Sequence, residues 1–161
     1  MKRILLISAA ALVMLTSCMT SAERAQQQAY RQAQVEQAVN SGRLTISIRS
    51  MHTQRYGTRQ VTPDFHLTLR GDTVESYLPY FGQAWTAGYG SQAQGLNFTT
   101  RMLDVRRTRQ KHGVNRVEFY AKSQEDVYYY AVDIYPTGHA TIFVRARERD
   151  NISFDGDVDL Q

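Results

Sequence analysis

Arg43-Leu44-Thr45-Ile46-Ser47-Ile48-Arg49 sets an apolar side chain at every second position and a polar one between. A period of two marks a strand with one face in a core and the other in water. The pattern recurs at Phe65, Leu67 and Leu69, at Val117, Phe119 and Ala121, and at Ala140, Ile142 and Val144. Turn residues separate the runs at Arg70-Gly71-Asp72, Lys111-His112-Gly113, Ser123-Gln124-Glu125 and Pro136-Thr137-Gly138. Such short connections favour hairpins between neighbours, hence a meander. Eight strands are expected, near 43–51, 64–70, 73–78, 95–107, 114–122, 126–135, 138–147 and 151–160. Within 95–107 the apolar parity switches, which implies a β-bulge near Met102. The chain is therefore mainly β: an antiparallel meander closing as a small barrel or strongly curved sheet, with a two-sheet sandwich as the alternative.

Upstream, residues 19–40 are rich in Ala and Gln and hold no Gly or Pro. Thr20 and Glu23 stand at capping-box distance and Gly42 can end the run, so a helix is expected over about 21–41. Its apolar stripe is mostly alanine, with Tyr30, Val35 and Val39. So weak a face suggests a stalk or a loosely docked helix, with a spacer as the default reading over a partner-binding helix.

Further upstream, Lys2 and Arg3 precede a short apolar run that ends in Leu15-Thr16-Ser17-Cys18. This is the pattern of a bacterial lipoprotein signal, with Cys18 as the residue that carries lipid. The division expected is 1–17 signal peptide, 18–42 lipidated cysteine and helical tether, and 43–161 β-domain. Removal of the leader takes two of 19 basic residues and none of 15 acidic ones, which lowers the net charge from +4 to +2. That balance and export from the cytoplasm argue against a nucleic-acid partner. Cys18 is the only cysteine, so intrachain disulfides and cysteine-ligated metals are excluded.

Leu78 to Gln94 holds the only tryptophan, Trp85, with Tyr80, Phe81 and Tyr89 among glycines. Long connections are uncommon in compact domains and often functional. Tyr128, Tyr129 and Tyr130 follow one another, and on a strand Tyr128 and Tyr130 share a face. Tyr80, Phe81, Trp85, Tyr89, Tyr128 and Tyr130 are thus the candidate ligand-binding set, although large aromatics more often serve packing. Asp155, Asp157 and Asp159 alternate with apolar residues and lack the glycine position and distal Glu of a calcium loop. They read as the outer face of a terminal edge strand, not as a metal site. The basic run Arg106 to His112 and its echo at Arg145, Arg147 and Arg149 would meet an anionic surface if they converged. His52, His66, His112 and His139 show no metal spacing, and no nucleophile motif is present, so no catalytic residue and no cofactor are expected.

Gly71-Asp72-Thr73, Ser76 through Gly82 and Gly95-Leu96-Asn97-Phe98, followed by Tyr135 through Ala140 and Asn151 through Gly156, together carry a resemblance. The chain resembles lipoproteins of Bacteroides-type bacteria that carry domain of unknown function family 4251, over roughly residues 40–158. The resemblance implies an exported, β-rich, lipid-anchored domain and brings no activity, cofactor or catalytic residue. In such bacteria early acidic residues direct lipoproteins outward, and here only Glu23 follows Cys18 closely. The expected location is the cell envelope, on the periplasmic face of the outer membrane. The expected role is non-catalytic binding of a small apolar or amphipathic ligand; the alternative is contact with an envelope protein or a structural lipoprotein role.

Overall fold

A computed structural model describes residues 20–81, 95–124, 126–147 and 149–160. The chain divides into two units, residues 1–30 and 31–161. In the first, the described residues open α1 (Ser21–Ser41) and are all exposed. The capping box forms: the Thr20 N–H donates to Glu23 Oε2 at 2.7 Å, and the Glu23 N–H donates to Thr20 Oγ1 at 3.3 Å. These bonds hold the Glu23 carboxyl below its ordinary range, the Thr20 backbone contributing most. Cys18 lies outside the described residues.

The second unit is a barrel of antiparallel strands: β1 (Arg43–Thr53), β2 (Gly57–Gln60), β3 (His66–Arg70), β4 (Thr73–Leu78), β5 (Leu96–Arg109), β6 (Asn115–Lys122), β7 (Val127–Ile134), β8 (His139–Arg145) and β9 (Ile152–Val158). The order is β2-β1-β3-β4-β5-β6-β7-β8-β9, and β9 pairs back onto β1. That pairing closes eight strands into a barrel, with β2 as an extra strand folded against the second half of β1. The alternation in the sequence could not show β2, because all four of its residues are exposed.

Two irregularities shape the wall. The β5–β6 register shifts between Leu103 and Arg106, with Asp104 at φ +52°, so the bulge lies just past Met102. The β1–β9 register shifts between Ile48 and Ser50. Beside that second bulge, a Cβ on Gly156 would stand 2.2 Å from the Ser47 carbonyl oxygen, so the closing strands meet there only through glycine. The terminal strand is accordingly no edge: it is sealed between β1 and β8. Its acids face side chains of those neighbours: Asp159 takes the Ser47 hydroxyl, Asp157 the Arg49 guanidinium, and Asp155 the Thr141 hydroxyl and the His52 ring.

Side chains fill the middle of the barrel. Phe119 stacks on Tyr130 at 5.1 Å, Phe98 on Tyr128 at 5.4 Å, and Phe98 meets Tyr130 edge-on at 6.5 Å. Ile46, Leu67, Val74 and Phe154 close around them without exposure. At one end of the barrel the second half of α1 inserts Val35, fully buried, while Ala38 and Val39 pack on the same core. Arg109 ties that half to the β5–β6 hairpin through Glu36 at 2.7 Å.

Candidate functional site

At the end away from α1, β4 and β5 are joined by the connection that carries the aromatic residues. Leu78 and Leu96 pair at its neck, and a Cβ on Gly95 would meet the Leu78 carbonyl oxygen at 2.4 Å. Glycine is required there for the two strands to come together. Beyond Pro79 the chain turns Tyr80 inward, where its hydroxyl donates to the Asp150 carbonyl oxygen at 3.3 Å. Burial, and after it the Asp150 charge, raise the Tyr80 hydroxyl above its ordinary range. The Arg149 guanidinium lies 5.2 Å above the same ring, and Arg55 holds the buried Asp150 carboxylate at 3.1 Å. Phe81 turns outward, 4.9 Å from Tyr56 and 4.0 Å beneath Arg59. It is 38% exposed, clamped by the β1–β2 hairpin. Trp85 and Tyr89 lie outside the described residues.

Tyr128 and Tyr130 point into the core, as their shared parity implies. Tyr130 and Ser76 share a hydroxyl–hydroxyl bond at 3.1 Å, and Ser76 donates onward to the Leu96 carbonyl oxygen at 2.6 Å. Ser76 has one proton to give, so the phenol is the donor of the shared bond. Burial pushes the Tyr130 hydroxyl far above the usual tyrosine range. Tyr129 faces outward, donating to Glu118 at 2.5 Å beneath Arg145, and that bond is the main cause of its own raised value.

The four described candidates do not gather on a single open face. What joins them is the course of β5, whose first half pairs with β4 and whose second half pairs with β6. Above the Met102–Ala121 pair, β5 and β6 part, and the seam opens as a cleft of about 760 Å³. Phe98 and Tyr128 line it, flanked by Thr99, Arg101, Lys122 and Gln124. The Met102 N–H donates to the Asp72 carbonyl oxygen at 2.7 Å, which sets the strand's parity. By alternation Thr99 and Arg101 turn their backbone groups to the β6 side, an edge left open among the described residues. Phe98 and this edge were not among the sequence candidates; the only available signal was the length of the strand, longer than any single partner.

Other sequence features separate in space. Arg107 and Arg109 bond at the α1 end, to the Gly71 carbonyl and to Glu36, while Arg149 lies over Tyr80 at the opposite end. The two basic runs therefore do not converge. His52 and His139, far apart in sequence, flank one carboxylate, with Asp155 oxygens at 2.5 and 3.8 Å. Among the described residues no three His, Cys, Asp or Glu side chains are placed to hold a metal ion.

The family described as "Domain of unknown function (DUF4251)" matches residues 26–158. The chain belongs to the DUF4251 family. The match takes in most of α1 as well as the barrel of this DUF4251 protein. A crystal structure of a DUF4251 family protein from Bacteroides eggerthii superposes with a TM-score of 0.60 at 12% identity. The match covers 81% of this chain and 90% of that one. At that identity the likeness speaks for the fold alone. Among curated proteins none matches the chain.

Proposed function

We propose that this DUF4251 protein is a lipid-anchored, non-catalytic binding module of the cell envelope that takes a small amphipathic ligand in the seam between β5 and β6. The observation that carries the reading is the cleft opened where β5 changes partners, about 760 Å³. That volume lies in the range of small-molecule pockets, which pair apolar walls with a few polar groups. The stacked Phe98 and Tyr128 rings supply an apolar wall, and Lys122 and Gln124 stand at the rim for a polar head. The barrel interior, occupied by Phe119, Tyr130 and Phe154, is not the ligand site in this reading. Native mass spectrometry of the protein from its own envelope fraction tests it. A small-molecule adduct retained by the wild type and lost in Phe98→Ala, with the sheet signal in circular dichroism unchanged, supports the assignment. Bare polypeptide in both, or an adduct indifferent to Phe98→Ala and Lys122→Gln, overturns it.

One observation favours a second reading, contact with an envelope protein. The Thr99 and Arg101 backbone groups on the open edge suit an added strand from an extended peptide. A photo-crosslinker at position 99 that captures a discrete protein in cells would favour this reading over the small ligand.

A further inference from the structure

A second cleft, about 950 Å³, lies at the opposite end of the barrel, between the second half of α1, the start of β1 and the end of β3. Its wall carries Arg43 and Arg70, which stand directly opposite each other in the β1–β3 register. Like charges facing across an antiparallel pair are destabilising, so such a pair calls for a compensating anion. Among the described lining residues one acid, Asp159, stands against the two guanidinium groups. Among the described residues Arg43 has no ion pair, and Arg70 reaches Glu75 only at 3.5 Å with both groups well exposed. Asp159 lines the cleft as well, and its carboxylate accepts the Ser47 hydroxyl, whose oxygen lies 3.0 Å from each carboxylate oxygen.

The surroundings suit a tetrahedral oxyanion. Guanidinium forks match phosphate oxygens two at a time, which an ammonium does not do. Gln34 and Gln37 of α1 line the same cleft and bring amide donors to it. Leu44 and Leu160 line the same cleft and accommodate an apolar substituent.

We propose that the cleft between α1 and the barrel binds a phosphate group, clasped between Arg43 and Arg70. The inference is independent of the seam ligand, and it concerns residues at the other end of the barrel. Two sources share the chemistry: free phosphate and the headgroup of a phospholipid. They are separated by titrating the full-length protein with sodium phosphate and, in parallel, with dihexanoylphosphatidylglycerol, at constant ionic strength. The readouts are the Arg43 and Arg70 Nε–H NMR signals and the melting temperature. Saturable shifts of both signals with phosphate alone assign the site to the free ion; saturation with the short-chain lipid alone assigns it to the headgroup. In either case Arg43→Gln and Arg70→Gln weaken binding at least tenfold, and Arg145→Gln, at the far end, leaves it unchanged. Arg43→Gln also raises the melting temperature in phosphate-free buffer, because it removes the repulsion. Absence of saturation with both probes, or equal weakening by Arg145→Gln, overturns the proposal.

Discussion

Two Gly→Ala substitutions separate contact from conformation in this barrel. Gly156 has an ordinary backbone conformation, but a Cβ there would stand 2.2 Å from the Ser47 carbonyl oxygen, 3.0 Å from the Ser47 carbonyl carbon and 3.1 Å from Ile46 Cγ2. The nearest obstacle is backbone, so the β1–β9 pair itself has to part. Overpacking costs about 1–3 kcal/mol, and each hydrogen bond lost as the strands separate adds about 1 kcal/mol. Gly156→Ala should therefore cost about 3 kcal/mol or more, a fall of roughly 6–12 °C in melting temperature at this size. Gly57 is the reverse case: a Cβ meets nothing within 4 Å, but φ is +70°. Gly57→Ala should lose only about 1–2 kcal/mol, the cost of a left-handed alanine. Both changes stiffen the unfolded chain alike, so that effect cancels between them. Urea unfolding followed by circular dichroism measures the difference. Equal losses in the two variants would refute the view that close approach of the closing strands is what demands glycine at 156.

Tyr130→Phe should cost about 1–2 kcal/mol at neutral pH, through loss of the shared bond with Ser76. The buried phenol ionises above the unfolded value near 10, so its protonated form favours the fold. Stability is whole below pH about 10 and falls as pH climbs beyond it. The variant should unfold less steeply in alkali, read by circular dichroism alongside phenolate absorbance. Val35→Ala should cost about 1.5–3 kcal/mol by opening a void where α1 enters the core, and a loss below about 0.5 kcal/mol in thermal unfolding would contradict that role. Cys18→Ala should release the protein from the membrane fraction and abolish palmitate labelling, whereas retention with label would place the anchor elsewhere.

Local periodicity made most of the barrel legible. Val117, Phe119 and Ala121 turn inward as alternation requires, and Tyr128 and Tyr130 share the core face that their parity assigns. The helix was legible too, because Thr20 and Glu23 form the capping box their spacing implies. What stayed hidden depends on registers between distant segments. The acidic row at 155–159 has the pattern of an edge strand, and only its pairing with β1 reveals a closing strand. The opposition of Arg43 and Arg70 is likewise a matter of register. Phe98 carries no mark in the sequence, because its cleft comes from β5 exchanging partners midway, which no run of side chains announces. The described candidates divide for the same reason: Tyr80 and Phe81 follow Pro79 past the end of β4, while Tyr128 and Tyr130 lie on a strand that faces the interior.

The strand that seals the barrel also governs when sealing can happen. Ser47 and Asp159 bond across 112 positions of chain, so β1 waits through the making of every other strand before its second neighbour arrives. Such distant pairing pays its loop-closure entropy late and slows folding. During that wait β1 and β8 both offer bare edges to any passing copy. The carboxylates at 155, 157 and 159 then act as a password. A second β9 would set acid against acid, whereas β1 and β8 answer with Arg49, His52 and Thr141. An unfinished molecule thus tells its own last strand from a stranger's identical edge, and the cue that guides closure also limits end-to-end assembly.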